Sequence, residues 1–165
     1  MLKFWGNITD FWTKDLKCFE FKNYISLKQP SHTEFHTNFL ERHNDIKQAF
    51  DNELPDCCKN FFNILNVDKG TISWTCLEPN NTIPVHHDAF YKLRTQHGVE
   101  VNQCVRYLIF LQDWELGHLV EFQEQPISRW RKGDVWSFDH QSYHCASNAS
   151  NNEFVTCQVN TIITE

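Results

Sequence analysis

Apolar and polar positions repeat with two different periods along this chain. Between Phe4 and Leu27 aromatic residues recur among Lys, Asp and Thr, and Phe19, Phe21 and Ile25 alternate with Glu20 and Lys22. Alternation of this kind predicts a half-buried strand, here an opening hairpin or edge strand. From about Glu34 to Leu54 the spacing turns helical, with Phe35, Phe39, Leu40, Ile46, Ala49 and Phe50 on one face and Ser31 or Thr33 placed to cap the start. Pro55 interrupts that pattern, and Asp56 to Leu65 carries Cys58, Phe61, Phe62 and Leu65 on one side of a second helix that stops at Asp68-Lys69-Gly70.

After Gly70 the pattern becomes that of short strands. Thr71 to Leu77 alternates, Glu78-Pro79-Asn80-Asn81 turns, and Ile83 to Asp88 is extended. Val101 to Leu111 is the most continuous apolar strand; Leu119 to Phe122, Ile127 to Trp130, Val135 to Phe138 and Phe154 to Ile163 complete the set, with tight turns at Asp113 to Gly117 and Lys132-Gly133-Asp134. Helices followed by strands from two sheets around one cavity predict a mainly β fold with N-terminal helices, a jelly-roll or cupin-like double-stranded β-helix. The expectation is one domain over residues 1–165, with 1–70 as helical and edge-strand support and 71–165 as the jelly-roll core.

Composition narrows the function. A hydrophobic fraction of 41% with six Trp and fourteen Phe supports a packed protein rather than a disordered one. Net charge is −6 and the basic residues are scattered, which argues against a duplex nucleic acid partner. No run of about 20 apolar residues and no signal-peptide core is present, so a cytoplasmic protein without membrane contact is expected. The seven cysteines show no Cys-X-X-Cys spacing and read as reduced thiols.

The chemistry concentrates in Pro84-Val85-His86-His87-Asp88 and Tyr143-His144-Cys145. Two residues apart on an extended segment, His86 and Asp88 face the same way, while His87 faces away. A second imidazole from the late segment, His144 or its competitor His140, would complete two histidines and one carboxylate, a set suited to non-haem Fe(II) with open positions. Arg106 interrupts an otherwise apolar strand, and burying it unpaired is costly, so it requires an anionic partner, either a ligand or an internal Asp or Glu.

Taken in order, Thr75-Cys76-Leu77-Glu78-Pro79, His86-His87-Asp88, Arg106-Tyr107-Leu108, Trp130-Arg131-Lys132-Gly133-Asp134, Phe138-Asp139 and His144 with Asn148 resemble the Fe(II)- and 2-oxoglutarate-dependent oxygenases. The resemblance covers about Ser73 to Ile163 and is strongest toward the aspartyl/asparaginyl β-hydroxylase branch and small phage-type oxygenases. It implies a hydroxylase whose iron is held by His86, Asp88 and His144, with Arg106 and Thr75 contacting 2-oxoglutarate, and O2 as the oxidant. It also implies an amino-acid side chain, a peptide or another small molecule as substrate. Tyr91, Arg94, Trp136 and Asn148 are candidates for substrate contact or for orienting the metal ligands, each against an ordinary alternative: solvated loop for Tyr91 and Arg94, core for Trp136, a turn cap for Asn148.

One departure from that pattern matters. Many members carry an arginine about ten residues beyond the last iron-binding His, where this chain has Glu153-Phe154-Val155. Arg106 is the preferred substitute for the carboxylate clamp, because a planar guanidinium forms two parallel hydrogen bonds, with Arg94 and Lys92 in reserve. The missing arginine also keeps open a cupin-like metalloenzyme that uses no oxo acid, and a non-catalytic metal-binding module. Oligomeric state has no signature in the sequence.

Overall fold

The computed structural model describes residues 1–8, 22–23, 46–50, 56–123 and 125–163. In chain order its strands are β1 (Lys3–Asn7), β2 (Lys22–Asn23), β3 (Ile46–Phe50), β4 (Gly70–Leu77), β5 (Asn81–His86), β6 (Cys104–Phe110), β7 (His118–Phe122), β8 (Gln125–Ile127), β9 (Asp134–Asp139), β10 (His144–Asn148) and β11 (Phe154–Ile162). Two helices, α1 (Asp56–Ile64) and α2 (Tyr91–His97), and a 3-10 turn at Val101–Gln103 accompany them. One sheet runs β1-β9-β6-β11-β4-β3-β2 and the other β5-β10-β7-β8, every pairing antiparallel. Among the described residues two facing antiparallel sheets with few helices make this a double-stranded β-helix, as the strand pattern predicts.

Strict alternation in β4 and β11 explains how the large sheet is buried on both faces. Ile72, Trp74 and Cys76 point outward with Val155, Cys157 and Val159, and join Phe61 and Leu65 in one core cluster beneath α1. Trp74 is fully buried there, a contribution of about 3 kcal/mol from apolar area alone. The opposite face of the same strands carries Thr71, Ser73, Thr75, Thr156, Gln158 and Asn160, and lines a cavity of about 1070 Å³. A second cluster, including Phe110, Phe122, Trp130, Phe138 and Phe154, is packed on this inner side of the sheet. Among the cysteines, Cys76, Cys104, Cys145 and Cys157 are free thiols, and burial pushes Cys76 up to about 12.

Several expectations need correction. Ile46–Phe50 is a strand, not the end of a helix: it pairs with β4 at Ile46↔Leu77, Gln48↔Thr75 and Phe50↔Ser73. Five residues fit either period, and the open hydrogen-bonding edge of β4 decides between them. The rest of the proposed 34–54 helix, and Phe19, Phe21 and Ile25, lie outside the described residues. The strand expected at Ile127 to Trp130 instead ends at Ile127, because Arg129 is left-handed (φ 59) and turns Trp130 inward to stack on Phe110 at 4.1 Å. Tyr91 and Arg94 lie on α2 rather than in a loop. His144–Asn148 is a strand that the hydrophobic pattern does not announce, because its place rests on backbone pairing to β5 and β7. No helix among the described residues is long and apolar enough to cross a membrane.

Candidate metal centre

The site sits where β5 ends and β10 begins. Register pairs His144 with His86, and their rings lie 4.3 Å apart. Asp88 follows the end of β5 and folds back toward both rings: its carboxylate oxygens lie 3.9 Å from His86 Nε2 and 3.8 Å from His144 Nε2. One ligand atom from each of the three residues falls within 4.8 Å of the others. His140 takes no part in this group, and His87 is exposed and packs on Tyr143 at 5.2 Å.

Hydrogen bonds on the far side of each ring set its chemistry. His86 Nδ1 donates to the Pro84 carbonyl at 2.8 Å and His144 Nδ1 to the Ser142 carbonyl at 2.9 Å. A carbonyl can only accept, so the proton is on Nδ1 and the lone pair is on Nε2, aimed at Asp88. Phe122 stacks on the His144 ring at 5.1 Å and Phe138 tilts against it at 4.8 Å, which fixes the ring plane. Burial lowers His86 to about 4, with neighbouring His144 adding and Asp88 partly opposing; burial lowers His144 as well. Both rings are therefore neutral near pH 7. Burial alone would raise the Asp88 carboxyl, but Arg106 and the two histidines outweigh it, and Asp88 stays ionised below the usual range.

Arg106 is the anionic group's direct counterpart. Its Nη1 lies 3.0 Å from Asp88 Oδ2, and its Nε donates to Asn160 Oδ1 at 2.7 Å. Asn160 is itself oriented by its donation to Thr71 Oγ1 at 3.0 Å. The guanidinium also lies over Phe90, whose ring centroid is 5.6 Å away. Phe90 holds a left-handed backbone (φ 50, ψ 31) between Asp88 and α2, a strained conformation at the edge of the site. Of the two partners open to Arg106 from the sequence, the internal one is present: it is Asp88 itself.

The donor set fits a divalent metal. Two neutral imidazoles present lone pairs beside an ionised carboxylate, and Asp88 Oδ2 is buried without an aligned hydrogen bond. Such a set leaves positions for other ligands on the cavity side, where charged lining residues are limited to Asp88, Arg106 and Lys92 among those described. Lys92 is exposed at the rim, its Nζ 5.4 Å from the Phe50 ring centroid.

The remaining candidates separate. Thr75 and Tyr91 line the cavity, Thr75 bonded to Gln158 and Gln48, Tyr91 exposed at the mouth. Arg94 turns back to donate to the Ala89 carbonyl at 3.4 Å, and Trp136 packs on Phe4 at 5.2 Å; neither reaches the cavity. Asn148 is buried at the other end of β10, where its amide donates to the Leu77 and Asn152 carbonyls and its oxygen accepts from the Ser150 backbone and hydroxyl. Asn148→Ala should therefore cost about 3 kcal/mol of folding stability, read by urea unfolding, while Fe(II) affinity measured on the folded variant stays unchanged.

Gln48, Ser73, Thr156, Gln158 and Asn160 also line the cavity and did not stand out as motifs. For Ser73, Thr156, Gln158 and Asn160 the signal is the alternation itself, polar residues at every second position of β4 and β11 whose other face is apolar; Gln48 on β3, between Ile46 and Phe50, has no such signal.

No curated protein matches the sequence. Among solved structures the chain is similar to a prolyl-4-hydroxylase from Pseudomonas putida, with a TM-score of 0.55, 10% identity and coverage of 72% of each chain. It is also similar to SnoN, a non-haem α-ketoglutarate-dependent epimerase from nogalamycin biosynthesis, with a TM-score of 0.54 at 12% identity, over 72% of this chain and 61% of that one. A third is the non-haem monooxygenase ThoJ in its nickel complex, with a TM-score of 0.53 at 12% identity, over 74% and 59%. At these identities the likeness is one of fold. Sequence carries the relationship further, because the model of the aspartyl/asparaginyl beta-hydroxylase family matches residues 12–161, nearly the whole chain and both halves of the histidine–carboxylate cluster, and the protein belongs to that family.

Proposed function

We propose that this protein is a non-haem Fe(II) oxygenase that uses 2-oxoglutarate and O2 to hydroxylate an amino-acid side chain, a peptide or another small molecule. The observation that carries the reading is the convergence of two Nε2 lone pairs and one ionised carboxylate beside a single guanidinium at a cavity wall. His86, Asp88 and His144 would hold the iron, which when bound supplies oxygen activation coupled to decarboxylation of the oxo acid to succinate.

The chain's own residues have separate tasks. The Pro84 and Ser142 carbonyls keep both imidazoles in the metal-binding tautomer, and the aromatic walls at Phe122 and Phe138 exclude water from His144. Arg106, with Nη1 on Asp88 and Nε on Asn160, keeps Nη2 to donate to a carboxylate of the oxo acid, in place of the late arginine the sequence lacks. Asn160 holds Nε, so the guanidinium presents Nη2 to the cavity. Thr75, two strands away on the same sheet, adds a hydroxyl to the wall.

Anaerobic titration with Fe(II), with and without 2-oxoglutarate, tests this. A weak visible charge-transfer band should appear only when both are present. In Arg106→Ala it should require at least ~30-fold more 2-oxoglutarate, the cost of removing one member of a buried charge pair. Iron binding with no band, and no succinate in air, would favour the cupin-like reading without an oxo acid. Absence of iron binding would remove both.

A further inference from the structure

Local preferences argue against phenylalanine at position 90. Among the described residues five non-glycine positions hold a left-handed backbone, and four of them, Asn66, Asn80, Gln123 and Arg129, are polar and exposed. Phe90, at φ 50 and ψ 31, is the fifth, and it is apolar and 5% exposed. A bulky side chain crowds the backbone in this region, where glycine or asparagine is far better tolerated. Phe90 also occupies the N-cap of α2 and gives it no side-chain hydrogen bond, where Ser, Asp or Asn would satisfy a free backbone N–H. A residue that breaks two local rules at the edge of a site answers a requirement imposed from outside its own segment.

Two neighbours make demands on the ring. With Leu93 and Cys104 it forms a small buried cluster, against which Val99, Val101 and Ile162 pack. An aliphatic side chain of similar volume would serve that cluster. The second neighbour is the Arg106 guanidinium, whose Cζ lies over the ring, 5.6 Å from its centroid. The face of an aromatic ring carries negative potential, so this contact requires an aromatic residue.

The polar contacts of Arg106 explain what the ring adds. Nη1 lies 3.0 Å from Asp88 Oδ2, and Nε donates to Asn160 Oδ1 at 2.7 Å. Two in-plane hydrogen bonds leave the guanidinium able to tilt about the line that joins them. A ring against one face prevents the tilt and keeps water from that face. Asp88 is also a candidate metal ligand, so its hold on Nη1 is shared, whereas the ring contact is not.

We propose that Phe90 is a positioning residue for anion binding: its ring backs the Arg106 guanidinium and keeps Nη2 turned to the cavity, and the fold tolerates an uncapped, left-handed phenylalanine at the head of α2 to place it there. The support of Arg106 by Phe90 stands on the contacts above; that the anion is the oxo acid rests on the oxygenase reading.

Two readouts on wild type, Phe90→Leu, Phe90→Tyr, Arg106→Ala and the Phe90→Leu/Arg106→Ala double variant test it. The first is calorimetric titration of Zn(II)-loaded protein with N-oxalylglycine, the amide-linked isostere of 2-oxoglutarate. Phe90→Leu keeps the apolar packing but loses the ring face, and its affinity should fall about fivefold to tenfold with Zn(II) affinity unchanged. Phe90→Tyr restores the ring and should stay within about twofold of wild type. The second readout is the urea midpoint of the metal-free proteins, where Phe90→Leu should lower the midpoint less in the Arg106→Ala background than in wild type, because the contact is already gone. A trifluorinated phenylalanine at position 90 keeps the shape while depleting the ring face of negative potential; it should weaken N-oxalylglycine binding about threefold even where the leucine variant fails to fold. Unchanged affinity in both Phe90→Leu and the fluorinated protein, or equal midpoint losses in the two backgrounds, overturns the proposal and leaves Phe90 as core packing. Wild type that binds Zn(II) but no N-oxalylglycine removes the 2-oxoglutarate reading, and the midpoint comparison then decides the role of Phe90 by itself.

Discussion

If the three residues hold iron as proposed, Asp88→Ala should weaken Fe(II) binding by at least about 100-fold, and His144→Ala should do the same, in anaerobic titrations of folded protein. Removing a residue that merely orients a metal ligand commonly costs 10- to 100-fold in affinity, so loss of a donor itself should lie beyond about the upper end of that range. The two variants differ informatively in the metal-free state. Asp88→Ala also deprives Arg106 of its ion-pair partner, and breaking a buried pair from one side costs about 3 kcal/mol or more. His144→Ala leaves that pair intact. The prediction is therefore equal loss of metal but unequal loss of stability, read by Fe(II) titration and urea unfolding on the same samples. Retention of tight Fe(II) binding in either variant would remove the triad from the iron.

Lowering the pH from 7 to below 4 should destabilise the metal-free protein by on the order of 3 kcal/mol through His86 alone. Its folded value of about 4 lies below the ordinary 6.5, so between those values the unfolded chain binds a proton that the folded chain does not. Stability therefore rises with pH across that window, is fully present above 6.5, and is lost progressively as pH falls toward 4. His144, lowered by the same burial, acts in the same direction. Asp88 contributes separately: its folded value is depressed, so its stabilisation disappears only at lower pH, as the carboxyl takes up its proton. Urea unfolding at a series of pH values on wild type and His86→Asn measures the effect. The slope between pH 4 and 6.5 should flatten in the variant, and an unchanged slope would show that His86 titrates normally.

Some of this was legible before any coordinates. His86 and Asp88 stand close in the chain, so their nearness was legible, but β5 ends at His86 and it is the turn after it, not strand alternation, that brings Asp88 to both rings. A partly buried arginine likewise calls for an anion. The alternating strands of the second half likewise announce their pairing, because period two has one structural meaning when runs are short and bounded by turns. Ile46–Phe50 shows the limit: five residues carry too few positions to separate the periods, and the unfilled edge of β4 settles the matter from outside the segment. The same holds for β10, a strand of His, Cys, Ala, Ser and Asn that has little hydrophobic pattern and exists because β5 and β7 flank it.

By itself the sequence determined the chemistry on offer, two imidazoles, a carboxylate and a guanidinium, and a chain that alternates into a double-stranded β-helix. Those properties follow from local spacing and from the cost of burying charge. Only the tertiary structure decided that Arg106 pairs with Asp88, that Asn160 orients it, and that Arg94 and Asn148 turn elsewhere. Each of these depends on register between strands far apart in the chain, and a shift of one residue would have moved every one of those side chains to the other face.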